Sequence, residues 1–565
     1  MNDWEIVNQA LVRKALSEFT HERILEPVAD GNEYAVGRYR FRARRYPLNH
    51  WDISAVVRHD GLPVDALEFV TEFHEQLGIG RDMLPVYLEE ISSTLASAAY
   101  KLSKPDLTAT DLVTADFQTI EAAMTEGHPC FVANNGRLGF GLTDYLAYAP
   151  ETGAGVQLTW IAARRDRTTV SCSSSLAFDA FMRSELGEET LARFAEVADP
   201  AEYVYLPVHP WQWDNKTAIT FAADIALRHI VHLGSTDDVY QPQQSIRTFF
   251  NRSAPSRCYV KTALSVLNMG FMRGLSPSYM AATPAINDWV HSVVSNDLVF
   301  KRYGFTVLRE IAAVGYHNRY YENATDKTSP YRKMLSALWR ESPVPSLEPG
   351  ERLATMASLL HVDRHGASLA AALVRASGLA PADWVRAYVD AYLIPLLHSF
   401  YAYELVFMPH GENLILVLRD AIPIRVIMKD IAEEIAVLSP STPVPAEAER
   451  VRADVPDDEK LLSIFTDVFE CIFRFLSPLL DREGLLTPAE FWSVVASSIR
   501  DYQAATPELA DAFAKYDIFA PSFALSCLNR LQLRNNQQMV DLTDVAGSLQ
   551  FAGTLNNPLV TEVTD

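Results

Sequence analysis

Cysteine is scarce in this chain and is spread too widely to build a framework. Five cysteines occur among 565 residues, and no two of them form a Cys-x-x-Cys pair. An odd, dispersed set argues against a disulfide scaffold or a cysteine zinc site and favours reduced, buried thiols. The five are Cys130, Cys172, Cys258, Cys471 and Cys527.

Basic residues are few relative to acidic ones. The chain has 49 Lys and Arg against 71 Asp and Glu, which is a formal net charge of −22. This balance argues against nonspecific binding to nucleic acid and against an anionic membrane surface as a partner. A chain this acidic must gather its cations locally if it binds a polyanion.

Long hydrophobic runs and several common site motifs are also missing. No stretch approaches the roughly 18 uninterrupted apolar residues of a spanning helix, and Met1–Glu5 does not open a basic segment followed by an apolar run. We therefore expect a cytoplasmic protein. The dinucleotide-binding glycine motif, the P-loop and the HExxH zinc motif do not occur.

The chain has the composition of a folded protein and the length of more than one hydrophobic core. Apolar residues make up 48% and charged residues 21%, and 565 residues predict two or three subdomains. Residues 1–125 are predicted to be mainly helical, 126–340 β-rich, and 341–565 helical with one embedded hairpin. This order favours an α+β fold over a doubly wound sheet. Predicted helices include 4–19, 66–77, 383–405, 457–480 and 488–504, and predicted strands include 156–162, 202–208, 244–250 and 259–267.

The embedded hairpin is the most informative feature of the sequence. Two apolar runs, 407–419 and 424–430, flank the turn residues 420–423. If Arg419 pairs with Ile424, Asn413 lies opposite Asp430. His410 and Glu412 then join these two at the open end of the hairpin.

Carboxylate and amide oxygens are the ligands that Mg²⁺ prefers, and an imidazole beside them can reach a phosphate oxygen. Glu412, Asn413 and Asp430 are therefore predicted magnesium ligands, and the hairpin is predicted to be a nucleotide-phosphate site. Two alternatives stay open. One is a surface hairpin whose polar residues only solvate its end. The other is a phosphotransferase, because kinase-like folds place a metal-binding Asp and a catalytic Asn near a hairpin.

A second group of predicted phosphate-binding residues lies on two successive β-like runs. Alternation along the run 243–248 puts Ser245 and Arg247 on one face, and a hairpin brings Lys261 close to them. A hydroxyl, a guanidinium and an ammonium together can hold a triphosphate. The alternative is an ordinary solvated sheet face.

Other candidates carry weaker signals. Arg273 ends a largely apolar run, where it either forms a structural salt bridge or captures a substrate carboxylate. His209 is held between prolines and tryptophans, which suggests the wall of a site or a packed core. Asn135 and Arg137 lie in a Gly- and Asn-rich turn that could offer backbone donors to phosphate.

Taken together, these motifs resemble the NRPS-independent siderophore synthetases of the IucA/IucC (aerobactin synthetase-like) family. The resemblance runs from about residue 95 to near the C-terminus. It rests on the box 209–212 (His-Pro-Trp-Gln), on Ser245-x-Arg247-Thr248 with Lys261 and Arg273 downstream, and on His410-x-x-Asn413 with Asp430. The ordered set is specific, whereas each box alone is not.

The resemblance implies a hand-like fold with a helical thumb, β-rich fingers and a mainly helical palm. It also implies Mg-ATP as cofactor, adenylation of a carboxylate, transfer of the acyl group to an amine or hydroxyl, and a homodimer. By position, it implies the following roles. The residues that contact ATP are Ser245, Arg247, Thr248, Lys261, His410 and Asn135, and the catalytic ones among them are Lys261, Arg247 and His410. The residues that contact substrate are Arg273, Arg137 and His209. The residues that face magnesium are Glu412, Asn413 and Asp430.

Departures from the family pattern indicate a branch. Many members have Gln where this chain has Glu412, and they carry a second His-Pro and a Lys after the early His128-Pro129. The absence of the second His-Pro and of this Lys from the chain weakens the case for citrate activation. The turn 134–137 and the 410–413 variant look most like the desferrioxamine synthetases, which implies N-hydroxy-N-succinylcadaverine-type units joined by amide bonds and cyclised. Another branch of the family, a small-molecule kinase and a noncatalytic siderophore-binding protein remain alternatives.

Overall fold

The computed structural model describes residues 2–105, 107–539 and 548–560. Helices and mainly antiparallel sheets are packed around three large hydrophobic cores. One core is formed mainly by residues 7–102, a second lies between residues 156 and 339, and the largest is formed mainly by residues 286–559. The predicted α+β class is confirmed. Within the described ranges, no helix has the length and hydropathy needed to cross a bilayer.

The first core joins helices to a four-stranded antiparallel sheet. A capping box between Asn2 and Glu5 opens the helix Asp3–His21. The prediction of mainly helical structure over 1–125 is wrong for residues 28–58, which form the sheet. In the strand Tyr39–Tyr46, tyrosine and phenylalanine face the core and arginines face outward. Because of these arginines the segment has few apolar residues, and the strand is hard to predict from the sequence. The strands are Val28–Asp30, Glu33–Val36, Tyr39–Tyr46 and His50–Arg58, and the further helices are Ala66–Phe73, Leu84–Ser103, Ala109–Thr114 and Phe117–Ala123.

The second core contains a six-stranded antiparallel sheet. Its strand order is Thr168–Cys172, Glu310–Tyr316, Ser336–Arg340, Tyr259–Thr262, Thr248–Asn251 and Tyr240–Pro242. A three-stranded sheet, in the order Tyr203–Val208, Thr159–Arg164 and Ile230–Ser235, packs beside it. The helices of this region are Leu142–Tyr148, Phe178–Val197, Ala222–Ala226, Pro277–Asn296, Leu298–Tyr303 and Arg319–Ala324, with a π-helical turn at Trp213–Thr217.

The predicted strand 244–250 begins only at Thr248. Ile246 has φ = 57°, a left-handed conformation that interrupts an extended chain. The prediction that strand alternation places Ser245 and Arg247 on one face is therefore wrong, because both lie in a turn before the strand. The predicted strand 259–267 likewise ends at Thr262, and a short ribbon of Leu267–Asn268 and Phe271–Met272 follows.

The third core is built on the long helix Pro381–Tyr403, in which Trp384, Tyr388, Tyr392 and Phe400 are fully buried. Around it lie the helices Leu369–Ser377, Arg474–Arg482, Pro488–Ala505, Ala510–Lys515 and Leu528–Arg534, with a π-helical segment at Phe465–Phe473. A four-stranded sheet has the order Thr306–Val307, Ile422–Met428, Leu414–Arg419 and Glu351–Thr355. Two ribbons complete the region, Leu405–Phe407 with Ile435–Val437 and Ser522–Ser526 with Phe551–Asn556.

The predicted hairpin is present, but its register differs from the prediction. Its turn is only Asp420-Ala421, at φ = 52° and 62°, as a two-residue type I′ turn requires. Arg419 therefore pairs with Ile422 and not with Ile424. The observed pairing at the turn differs from the predicted pairing by two residues. A bulge after Val417 reduces this difference to one residue for the rest of the hairpin.

The predicted pairing of Asn413 with Asp430 is consequently wrong by one residue. The amide of Lys429 donates to the carbonyl oxygen of Asn413 at 3.0 Å. Asp430 follows in the left-handed conformation, with φ = 60°. The chain thus turns away from the ladder at Asp430, and it carries that carboxylate out of the sheet.

A buried ion pair fastens the N-terminal helix to the third core. The guanidinium of Arg474 donates to both carboxylate oxygens of Glu18, at 3.1 and 2.6 Å, and both side chains are nearly inaccessible. Removing one partner of such a pair leaves a buried charge without compensation.

We expect Arg474→Met to lower the free energy of unfolding by about 3–5 kcal/mol, because Glu18 loses its counter-ion. The double variant Glu18→Leu/Arg474→Met should recover most of that loss. Urea unfolding followed by tryptophan fluorescence measures both. Equal losses in the single and double variants would contradict this account of the contact.

Candidate active site

Three charged side chains share one face of the six-stranded sheet. Lys261 follows Tyr259 by two residues, so both side chains point to the same face. Tyr259 pairs with Arg340, and Arg340 pairs with Glu310. Thr248 lies directly opposite Lys261 on the other neighbouring strand. Strand register alone therefore gathers Lys261, Arg340 and Glu310 at one place.

The segment that follows the hairpin, residues 430–434, meets this face and is called the acidic loop. Lys261 Nζ lies 2.6 Å from Asp430 Oδ1, 3.2 Å from Glu433 Oε2 and 3.8 Å from Glu310 Oε1. Arg340 also bonds Asp430 and donates to Glu310 at 2.8 Å. The acidic loop thus closes a buried network of two cations and three carboxylates.

The network keeps its members charged despite their burial. Burial alone would lower the pKa of Lys261, but Asp430, Glu433 and Glu310 raise it. Burial likewise disfavours the Asp430 carboxylate, yet Arg340 and Lys261 hold its pKa well below the usual range. The pKa of Glu433 is lowered in the same way by Lys261 and Arg247. Each charge therefore depends on its neighbours.

Two arginines lie beside the network with spare hydrogen-bonding capacity. Arg247 donates to the backbone oxygens of Arg273 and Gly274, at 3.1 and 2.6 Å, and is 3.6 Å from Glu433. Arg273 donates to Asn268 Oδ1 at 2.7 Å, but no described carboxylate lies within ion-pairing distance of it. Burial and the nearby Arg247 lower the pKa of Arg273 to about 10.

His410 and Asn413 meet the last residue of the acidic loop. His410 Nε2 is 3.8 Å from Glu434, and the Asn413 amide donates to Glu434 and to the Met408 carbonyl oxygen. Burial alone would lower the pKa of His410, but Glu434 and Glu412 raise it. The result is an imidazole poised to carry positive charge next to the arginines.

Six buried polar atoms around the acidic loop have no hydrogen-bond partner among the described residues: Ser245 Oγ, Arg247 Nε, Arg273 Nε, His410 Nδ1, Arg340 Nε and Glu310 Oε2. Buried polar groups are normally satisfied, so such a set marks a place that a ligand completes. Four of the six belong to arginine or histidine side chains. The set therefore fits an anion such as a phosphate or carboxylate.

Two of the three predicted magnesium ligands already have protein partners. Across the described ranges, no group of three or more His, Cys, Asp or Glu side chains is placed to hold a metal ion. Asp430 is engaged by Lys261 and Arg340, and Asn413 by Glu434. The donor chemistry of Glu412, Asn413 and Asp430 suits Mg²⁺ only if nucleotide oxygens and water complete the shell.

The structure buries two predicted substrate residues, and their contact with substrate stays a prediction; His209 Nε2 has no hydrogen-bond partner among the described residues. Arg137 makes a buried, bidentate ion pair with Glu151, at 2.7 and 2.8 Å, so its fork is already occupied. His209 is fully buried among Phe140, Tyr148 and Phe249, and its Nδ1 caps the following turn. Burial lowers its pKa to about 3, as for a core histidine. Asn135 is buried as well, and its predicted contact with ATP stays a prediction.

Four residues of the site were missed by the sequence analysis: Glu310, Arg340, Glu433 and Glu434. Glu433 and Glu434 follow Asp430 closely in the chain, and this cluster of acids after a β-hairpin was a usable signal. Glu310 and Arg340 lie at the ends of apolar strands and gain their roles from cross-strand register, which the sequence does not display.

Comparisons with known proteins identify the family of the chain. The model of the IucA/IucC family matches residues 116–361, and a model described as ferric iron reductase FhuF-like transporter matches residues 382–541. A putrebactin synthase from Shewanella sp. (strain MR-4) is 52% identical over 98% of this chain and 91% of its own length. The rhizobactin siderophore biosynthesis protein RhbF of Rhizobium meliloti (strain 1021) is 31% identical over 99% of this chain and 96% of its own.

The structural comparison covers the whole chain. Aerobactin synthetase IucC from a hypervirulent pathotype of Klebsiella pneumoniae superposes with a TM-score of 0.86 at 28% identity, over 99% of this chain and 98% of that one. The fold and the charged site at the sheet face thus define a siderophore synthetase of the NRPS-independent class. The chain belongs to the IucA/IucC family.

Arg273 provides a test of the anion site. A guanidinium offers a carboxylate two parallel hydrogen bonds, a geometry that an ammonium cannot reproduce. Arg273→Lys should therefore weaken binding of N-hydroxy-N-succinylcadaverine at least tenfold by calorimetry, even though the charge is kept. Arg137→Lys, in the structural pair with Glu151, is the matched control and should leave the affinity within about twofold. If Arg273→Ala binds as tightly as the unaltered protein, Arg273 has only a structural role.

Proposed function

We propose that this enzyme uses Mg-ATP to adenylate the carboxylate of a succinylated hydroxamate-amine and then joins the acyl group to an amine. The observation that carries the proposal is a set of anion-binding groups without an anion: Arg273 forms no ion pair with a described carboxylate, and Ser245, Arg247 and His410 each have a buried polar atom without a described partner. A triphosphate and a carboxylate are the two anions that this reaction brings together.

Lys261 and Arg247 are the residues proposed to hold the triphosphate. Both touch Glu433, and Lys261 also touches Asp430, so in the free protein carboxylates occupy the places that phosphate oxygens would take. Arriving phosphates would compete for the same N–H donors. Lys261 would then move its hydrogen bonds from the acidic loop to the nucleotide, while Arg340 keeps hold of Asp430 through the same carboxylate.

Magnesium, when bound with the nucleotide, would neutralise charge on the leaving pyrophosphate. Asp430, Asn413 and Glu412 are the residues that would face it, with Glu434 beside them. Lys261 and Arg340 both contact Oδ1 of Asp430, so Oδ2 of this carboxylate would be the oxygen available for this task. Arg273 would hold the organic carboxylate by its guanidinium.

The two steps follow from ordinary carboxylate chemistry. A carboxylate oxygen attacks the α-phosphorus and pyrophosphate leaves, which converts a poor electrophile into a reactive acyl-adenylate. The amine nitrogen then attacks the acyl carbon and AMP leaves. Fixed cations aimed at the developing negative charge are the main source of rate in such sites. The amine has an unperturbed pKa near 10, so it must lose a proton before it attacks.

The branch of the family is proposed from identity and from sequence departures. The chain is 52% identical to a putrebactin synthase but 28% identical to aerobactin synthetase IucC. It also lacks the second His-Pro and the Lys after His128-Pro129. We therefore propose iterative amide formation between N-hydroxy-N-succinylcadaverine-type units, ending in a cyclic, desferrioxamine-type product.

Product analysis tests the proposed reaction. Purified protein with Mg-ATP and N-hydroxy-N-succinylcadaverine should release AMP and pyrophosphate in a 1:1 ratio and give dimer, trimer and cyclic masses. Citrate with cadaverine serves as the matched control and should give neither product. ADP as the sole nucleotide product would favour a kinase instead, and citrate coupling would move the chain to another branch of the same family.

Replacement of Lys261 tests the residue proposed to bind the triphosphate. We expect Lys261→Ala to reduce carboxylate-dependent pyrophosphate release about 10²–10³-fold, as loss of one oriented catalytic donor does. Its effect on affinity for the organic substrate should be small, because Arg273 holds that end. Lys261→Arg keeps the charge and should retain more activity. Unchanged pyrophosphate release in Lys261→Ala would contradict this role.

A further inference from the structure

The short ribbon of Leu267–Asn268 and Phe271–Met272 leads directly into Arg273. Its two-residue turn is Met269-Gly270, and both residues are left-handed, with φ = 49° and 71°. Asn268 is the last residue before this turn, and its side chain is almost inaccessible, at 5% exposed. The ribbon therefore places a buried amide beside the guanidinium that is proposed to hold the substrate carboxylate.

Asn268 holds Arg273 through one nitrogen of the guanidinium. Arg273 Nη2 donates to the side-chain oxygen of Asn268 at 2.7 Å and to its backbone oxygen at 3.1 Å. Neither Nε nor Nη1 of Arg273 donates a hydrogen bond to a described residue. One nitrogen of the guanidinium is thus fixed by the protein, while the N–H groups on the other two nitrogens are left for a ligand.

The amide of Asn268 is itself fixed by the turn 134–137. Its Nδ2 donates to the carbonyl oxygen of Gly136 at 2.7 Å, so its oxygen is the atom that faces Arg273. Gly136 packs closely against the helix Leu84–Ser103, because a Cβ atom there would lie only 2.9 Å from the backbone oxygen of Glu90. The Glu90 carboxylate also accepts the backbone amide of Met269 at 3.1 Å. Two anchors on one helix therefore set the orientation of the Asn268 amide.

The acceptor that holds Arg273 is neutral. Glu412, Glu434 and Glu90 raise the pKa of Arg273, but no described carboxylate lies within ion-pairing distance of it. An amide oxygen accepts a hydrogen bond from a guanidinium without cancelling its charge. Arg137 shows the other arrangement, since a carboxylate accepts from both of its terminal nitrogens. A carboxylate in the place of the Asn268 amide would compete with any incoming anion.

We propose that Asn268 is a positioning residue that makes the Arg273 site selective for a carboxylate over a neutral group. It orients the guanidinium through a neutral acceptor, so the direction of the N–H groups is fixed and the positive charge stays available to the substrate. The inference rests on the proposed function, in which Arg273 binds the acid end of the substrate. It also gives the turn 134–137 a role, because this turn anchors the amide.

Asn268→Asp tests the need for a neutral acceptor. The change keeps the shape of the side chain and an oxygen beside Arg273, but it adds a negative charge at short range, where charges interact strongly. Calorimetry without ATP compares N-hydroxy-N-succinylcadaverine with the analogue that has a carboxamide in place of the carboxylate. Asn268→Asp should weaken binding of the acid at least about tenfold, because two carboxylates then compete for one guanidinium. Binding of the carboxamide should stay within about twofold, since a neutral ligand is not repelled.

Asn8→Asp is the matched control. Asn8 is also a buried amide that accepts from one backbone group, the amide of Ala66, and donates to another, the carbonyl oxygen of Trp4. It lies on the N-terminal helix and makes no contact with Arg273. The same chemical change there should leave the preference for the acid over the carboxamide unaltered.

A second variant separates orientation from charge. Asn268→Ala removes the acceptor but adds no charge, so the preference for the acid should persist. The rate constant kcat for pyrophosphate release should fall about tenfold or more, because a guanidinium that is less well oriented places the carboxylate less well for attack. The KM for Mg-ATP should change little, since Lys261 and Arg247 are proposed to hold the triphosphate.

Two results would overturn the proposal. One is an unchanged preference for the acid in Asn268→Asp together with an unchanged kcat in Asn268→Ala. The other is an equal loss of acid and carboxamide affinity in Asn268→Asp, which would indicate a purely structural role. Arg273→Ala separates this failure from a failure of the proposed function. If Arg273→Ala weakens the acid and neither Asn268 variant does, only the present inference fails, whereas unchanged binding in Arg273→Ala refutes the proposed carboxylate site itself.

Discussion

The Asp430 carboxylate, shared by Lys261 and Arg340, is the contact on which the site depends. The two cations lie on neighbouring strands of the six-stranded sheet, and Asp430 comes from the loop after the hairpin of the third core. Two bodies with separate hydrophobic interiors therefore meet through one buried charge network. Breaking such a network by removing one member is costly, since the remaining charges stay buried without compensation.

The same contact explains how the cationic side chains of the anion site can be held in fixed positions and still be able to bind an anion. Carboxylates of the acidic loop hold Lys261 and Arg247 in place before any nucleotide arrives, so these side chains need little further ordering. Arg273, in contrast, forms no ion pair with a described carboxylate, and burial together with the nearby Arg247 lowers its pKa to about 10. The carboxylates of this acidic protein thus keep the buried cations Lys261 and Arg340 charged.

Much of the architecture could be predicted from the sequence, and the failures have physical reasons. Periodicity located the long helix Pro381–Tyr403 and the hairpin, and motif order indicated Lys261, Arg273 and Asp430. The sheet at 28–58 was missed because arginines alternate with its aromatic residues. The register error came from a two-residue turn and a bulge, both of which are set by backbone conformation at Asp420 and Val417. Glu310 and Arg340 could not be found, because only strand pairing brings them to Lys261.

The central claim is that a substrate carboxylate oxygen attacks the α-phosphorus of ATP in a site organised by Lys261, Arg273 and Asp430. The most direct measurement starts from N-hydroxy-N-succinylcadaverine labelled with ¹⁸O in its carboxylate. Mass spectrometry then follows the label into the nucleotide and phosphate products. The account predicts one ¹⁸O atom in AMP for each amide bond and none in pyrophosphate. Label in inorganic phosphate, with ADP as the nucleotide product, would contradict it.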